Sequence, residues 1–217
     1  ILVSVAVVPI LVTASKAPEF SEPETLPLRR LFQISPLALV GMGLQGLTTS
    51  MIFGMGAVFA NIIGMTNQQG SIFLASFTIA NVVMQYPIGR LSDRFDRRLV
   101  ILFVASISAL AAAIASVVGL SNYWVLLGLT ALFGGFSMTI YSLCIAHAND
   151  YLSPSQMVGT ASALITVNGI GAIFGPPIIA ALVDLFGSYM FFATLSVVHI
   201  GLGLFVLARM YMREAVP

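Results

Sequence analysis

Charge is the scarcest thing in this chain. Only 8% of its 217 residues are Asp, Glu, Lys or Arg, against about 25% in ordinary soluble domains. That excludes a surface solvated on all sides, and with it the usual soluble enzyme. The net charge is +1 and no basic run is present, which leaves no footprint for nucleic acid. The single cysteine, Cys144, lies in an apolar run and excludes an internal disulfide. No apolar run carries a carboxylate at its centre, and no catalytic residue, metal or cofactor is expected.

Apolar residues are what the chain has in abundance. They make up 59% of the sequence, and the mean hydropathy is +1.02. The expected fold class is an all-α membrane protein with six transmembrane helices between residues 35 and 210. Residues 1–14 read as the end of a truncated transmembrane helix, being too short to span and lacking a basic leader or cleavage site. Residues 15–34 read as a connector, since Pro18, Pro23 and Pro27 oppose helix propagation. Residues 211–217 read as a cytoplasmic tail.

The spans follow from capping signals and apolar length. Ser35 as N-cap and Pro36 as N1 open the first, which runs to about Gly64. A Thr66–Gln69 capping box opens the second, ending at Gly89. The third covers about Arg98–Val118 and turns at Gly119–Asn122; the fourth covers Tyr123–His147. A Ser153–Gln156 capping box with Pro154 at N1 opens the fifth, to Asp184, and the sixth runs from Gly187 to Arg209. Alternate loops then place all nine cations (Lys16, Arg29, Arg30, Arg90, Arg94, Arg97, Arg98, Arg209 and Arg213) on one side. The positive-inside rule makes that side cytoplasmic, together with the C-terminus, in a plasma membrane or, for a prokaryote, the inner membrane.

Between the second and third spans lies Tyr86–Val100, YPIGRLSDRFDRRLV. Gly89, Leu91, Ser92, Asp93, Arg94, Phe95, Arg97 and Arg98 resemble the cytoplasmic G-x-L-[small]-D-R-[aromatic]-G-R-R loop of the major facilitator superfamily. Asp96 stands where that motif has its second glycine. The resemblance covers essentially the whole chain. It implies one half-bundle of the facilitator fold, the C-terminal half, with the other six helices missing upstream. It also implies a secondary active transporter that moves a small polar or amphiphilic solute by alternating access, with or without a coupling proton. The expected partners are that solute, membrane lipid and the missing N-terminal half.

The same resemblance implies roles for residues. Gly89 and Asp93 would act as a gating latch with Arg94, while topology alone explains Arg97 and Arg98. Asp150 either pairs with an arginine of the Asp93 loop or is an ordinary solvated carboxylate; Met157 and Val158 stand where the family's matching loop has an arginine. Gly171 and Gly175 form a small-xxx-small pair ahead of Pro176 and Pro177, readable as a hinge or as static packing. Polar residues inside spans mark a solute path. Gln45, Thr48 and Thr49 share a face of the first span; Thr78, Asn81 and Gln85 of the second; Gly134, Ser137 and Tyr141 of the fourth; Asn168 stands alone in the fifth. The path is drawn through Gln45, Thr49, Asn81, Gln85, Tyr141 and Asn168. His199, mid-span in a helix that the family places at the periphery, reads as neutral and bonded to a neighbour such as Ser196. Two rival readings are a self-dimerising half-sized carrier and a rhomboid-like intramembrane protease. The second needs a Ser–His pair, and Gly135-Phe136-Ser137-Met138 lacks its second glycine while His199 shows no partner in the sequence.

Overall fold

The computed structural model describes residues 27–118 and 121–212. Lys16, Arg213, residues 1–14, the turn at Gly119 and most of the connector and tail lie outside the described residues. The described chain is helical throughout. A short helix α1 (Leu28–Ile34) precedes α2 (Pro36–Ile62), α3 (Asn67–Arg94), α4 (Arg97–Val117), α5 (Tyr123–Ser137), α6 (Ile140–Asn149), α7 (Pro154–Phe186) and α8 (Met190–Met212). Counting α5 and α6 as one span, six helices are long and apolar enough to cross a membrane.

Local chemistry accounts for the boundaries. α2 ends in a Schellman arrangement, with Gly64 N bonding Asn61 O at 3.0 Å and Met65 N bonding Ala60 O at 2.9 Å. Gly64 takes the left-handed φ of 77° that this cap requires. The Thr66–Gln69 capping box opens α3 with both reciprocal bonds in place, at 3.0 and 3.2 Å. α3 then corrects the expected end at Gly89: it continues through Pro87 and Gly89 to Arg94. Only Phe95 and Asp96 remain as a turn. Neither has a positive φ (−123° and −51°), so this turn has no need of glycine. Asp96 instead caps α4, its carboxylate accepting from Arg98 N at 2.9 Å.

The fourth span is broken, which the sequence reading did not anticipate. Met138 and Thr139 interrupt it between α5 and α6. There the Thr139 hydroxyl donates to Phe136 O at 2.6 Å and the Ser142 hydroxyl to Thr139 O at 2.9 Å. These hydroxyl bonds back onto the backbone compete with the regular helix ladder. α7 runs unbroken in secondary structure across Pro176 and Pro177.

Packing is paired: α2 lies against α7, α3 against α5, and α4 against both α8 and α5. Under an exchange of the first three spans with the last three, α2–α7 maps onto the α3–α5 pair and α4–α8 onto itself, as in a fold of two repeats. Two apolar clusters fill the bundle. One, toward the arginine-bearing end, includes Leu37, Met42, Ile101, Val104, Ile140 and Leu202. The other is aromatic, with Phe59 stacked on Phe191 at 4.3 Å and Phe73 edge-on to Phe77 at 5.3 Å. α4 and α8 are half-buried against their neighbours, whereas α3 and α7 leave most of their apolar surface uncovered.

Candidate functional site

Four spans meet at a groove of about 330 Å³, lined by Gln45 and Thr49 of α2, Asn81 and Gln85 of α3, Tyr141 and Ser142 of α6, Asn168 of α7, and Met138 at the helix break. All six residues drawn on the solute path therefore stand around one space. Its wall is amide, hydroxyl and thioether, with no carboxylate, imidazole or cationic side chain. Gln45 Nε2 donates to Thr49 Oγ1 at 3.3 Å, Gln85 Nε2 to Ser142 Oγ at 2.8 Å, and Asn168 Nδ2 to Met42 O at 3.0 Å. Asn81 Oδ1 is buried with no partner, an acceptor left over in the groove wall.

Helix packing places these groups. A Cβ on Gly46 would run into Asn168 O, and one on Gly171 into Gly43 O. α2 and α7 thus touch backbone to backbone, which brings Asn168 level with Gln45. Gly134 does the same for α3 and α5: its Cβ would sit 2.5 Å from Phe77 Cα. Four residues read onto polar faces stand outside the groove, Thr78 among them as an exposed residue of α3. Gly134 is an interhelix contact, Thr48 is buried with an unbonded hydroxyl, and Ser137 points into the core. Conversely, Ser142 and Met138 were missed, because the break at Met138–Thr139 ends the simple helical periodicity there.

Ser137 and His199 correct a second expectation. His199 is 2% exposed, and its partner is not Ser196, which donates instead to Ala109 O at 2.8 Å. His199 Nδ1 lies 2.8 Å from Leu195 O, and a carbonyl only accepts, so Nδ1 carries the proton. Neutral Nε2 then accepts from the Ser137 hydroxyl at 2.8 Å. The face of α8 that holds His199 is interior, not peripheral. The pair has the atoms of a nucleophile and base, yet Ser137 is 0% exposed and neither residue lines the groove. It is a structural bond between α5 and α8.

At the arginine-bearing end, Arg97 Nε donates to Asp150 Oδ2 at 2.7 Å, and Arg97 Nη1 donates to Ser92 Oγ at 3.0 Å. Asp93 stands 3.6 Å from Arg97 Nη1 with its side chain 70% exposed. Asp96 holds Arg98 through Nη2 at 2.9 Å, and that guanidinium keeps the Asp96 carboxyl below the usual carboxylate range. Arg94 is exposed, and a Cβ on Gly89 would meet nothing within 4 Å.

A family model for the Major Facilitator Superfamily matches residues 38–217. The chain belongs to that superfamily. It is 23% identical over 99% of its length to the MFS-type transporter YcaD of Escherichia fergusonii, itself described as uncharacterized, covering 54% of that protein. With YcaD of Escherichia coli O17:K52:H18 it shares 26% identity over 82% of its length, covering 44% of the relative. The chain thus spans about half the length of the curated relatives it matches. The structure of the POT family transporter PepTSo superposes on 89% of this chain and 39% of its own with a TM-score of 0.68 and 15% identity, which establishes the shared fold. As a superfamily member with six apolar spans, the chain is a multi-pass membrane protein.

Proposed function

We propose that this chain is one six-helix half of a secondary active transporter, the half that follows the central connector. Its groove forms one wall of a path for a small polar or amphiphilic solute, and a second six-helix half forms the other. The observation that carries this reading is the convergence of Gln45, Thr49, Asn81, Gln85, Tyr141 and Asn168 on one uncharged space, with Asn81 Oδ1 unbonded. Relative rocking of two halves then exposes the site to either side in turn. The arginine-rich end faces the cytoplasm by the positive-inside rule. There Asp93, largely solvent-exposed and held only at 3.6 Å by Arg97, is free to latch a neighbouring half, while Arg97–Asp150 ties the loop to its own half. Pro176 and Pro177 leave α7 two ladder bonds short, which suits bending during that motion.

The test is uptake by proteoliposomes over a panel of small polar solutes, with this chain reconstituted alone and with an upstream facilitator half from a YcaD relative. Uptake is expected only with both. Asn81→Ala and Tyr141→Phe should then raise KM by about tenfold, the worth of one hydrogen bond. Unchanged KM in both variants would remove the groove from the path. Uptake by this chain alone would favour a self-dimerising carrier.

A further inference from the structure

The start of α2 holds a feature that transport does not use. Ser35 occupies the N-cap of α2, but its hydroxyl makes no cap bond. The residue is 1% exposed and its Oγ has no partner at all. Beside it is a crevice of about 20 Å³, walled by Ser35, Leu37, Arg98, His147, Tyr151 and Arg209. Every polar side chain in that wall can donate a hydrogen bond, and none is a carboxylate. Arg98 is answered by Asp96, whereas Arg209 makes no ion pair among the described residues. The N-terminus of a 27-residue helix adds its positive dipole end.

We propose that this crevice is an anion site that takes one oxygen of a phosphate group. The volume admits a single atom the size of a water oxygen, so the rest of the anion stands outside, where Arg209 is partly exposed. Ser35 Oγ–H and the Arg209 guanidinium donate to the inserted oxygen, which relieves the orphaned hydroxyl and the unmatched cation together. Two sources offer this chemistry, an anionic lipid headgroup and free phosphate. The lipid is favoured by α1 alongside, where exposed Leu28 and Phe32 flank Arg29 and Arg30, apolar and basic together as at a headgroup plane.

The experiment is thermal unfolding and lipid titration of the full chain in neutral detergent micelles. Phosphatidylglycerol, phosphatidylcholine and inorganic phosphate are the probes, at matched ionic strength. Phosphatidylglycerol should raise the unfolding temperature by a few degrees, and phosphatidylcholine should not. Ser35→Ala and Arg209→Gln should each weaken phosphatidylglycerol binding by about tenfold or more, while Arg29→Gln should leave it within about twofold. Without added anion, Ser35→Ala should unfold no earlier than wild type, because its hydroxyl has no bond to lose. An equal shift from inorganic phosphate would assign the site to the free ion. The proposal is overturned if no probe stabilises the wild type. It is also overturned if both site variants bind like wild type, or if Arg29→Gln loses as much as Arg209→Gln. None of these outcomes depends on transport.

Discussion

The two most extensive helix pairs in the bundle, α2–α7 and α4–α8, are joined by opposite means. α2 and α7 meet through glycines: a Cβ at Gly46, Gly171 or Gly175 would overlap the facing helix, at Gly175 reaching 2.6 Å from Leu47 O. α4 and α8 meet through side chains, with Ala105, Ala112, Leu195, Leu202 and Val206 buried and one hydroxyl bond from Ser196 to Ala109 O. Glycine is present in α8 too, but a Cβ on Gly203 would lie an ordinary 3.7 Å from Leu102 Cδ1. The close-contact pair is the one that carries groove residues, Gln45, Thr49 and Asn168. Backbone contact leaves no side-chain layer to absorb error, so it positions a site more tightly than a filled interface does.

The largest effect should come from making the same change in both pairs. Gly171→Ala should destabilise by about 1–3 kcal/mol, because α2 must be pushed away from Gly43 O. Gly203→Ala should be neutral or stabilising, since alanine is the better helix former and space exists. Denaturant titration in micelles reads both; equal costs would erase the distinction between the pairs. A smaller effect tests the polar tie on the filled side. Ser137→Ala strands His199 Nε2 in the core and should cost about 1–2 kcal/mol, while leaving the KM of any reconstituted solute uptake unchanged. A rise in KM there would make the α8 side part of the solute site.

The smallest effect is at the head of α4. Asp96→Asn keeps a capping oxygen but removes the ion pair with Arg98, worth about 0.5 kcal/mol with the carboxylate partly solvated. The folded-state pKa of Asp96 lies below its ordinary value. Its contribution is therefore complete above about pH 4 and fades as pH falls through the lowered folded pKa. The gap between wild type and Asp96→Asn should close on acidification over that range. A gap that widened as pH fell would contradict the pairing.

Much of this was legible in the residues. Six spans, their caps at Thr66 and Gln69, and the gathering of every described arginine at one end follow from apolar length and short-range hydrogen bonds. The motif around Asp93 pointed to the family, and the matching family model bears that out. Polarity inside apolar runs points to the six path residues, and the bundle brings them to one groove; polar groups are costly in hydrocarbon, so they mark cavities or tight interhelix bonds. Which of those two a given residue does was not legible. Helical spacing puts Ser137 and Thr48 on polar faces with Tyr141 and Gln45, yet both are buried in packing.

The sequence by itself determined what is local or periodic: membrane insertion, span number, charge sidedness and helix ends set by caps within four residues. Tertiary structure decided what depends on distant partners. It broke the fourth span at Met138 and carried α3 past Gly89 to a turn of negative φ where Asp96 caps α4. It joined Ser137 to His199 across 62 positions, and left Ser35 with no partner beside a crevice walled by three other segments. The reason is physical. A cap or an apolar run is satisfied by its own neighbours along the chain, whereas a buried polar group is satisfied only by whichever helix the packing sets against it.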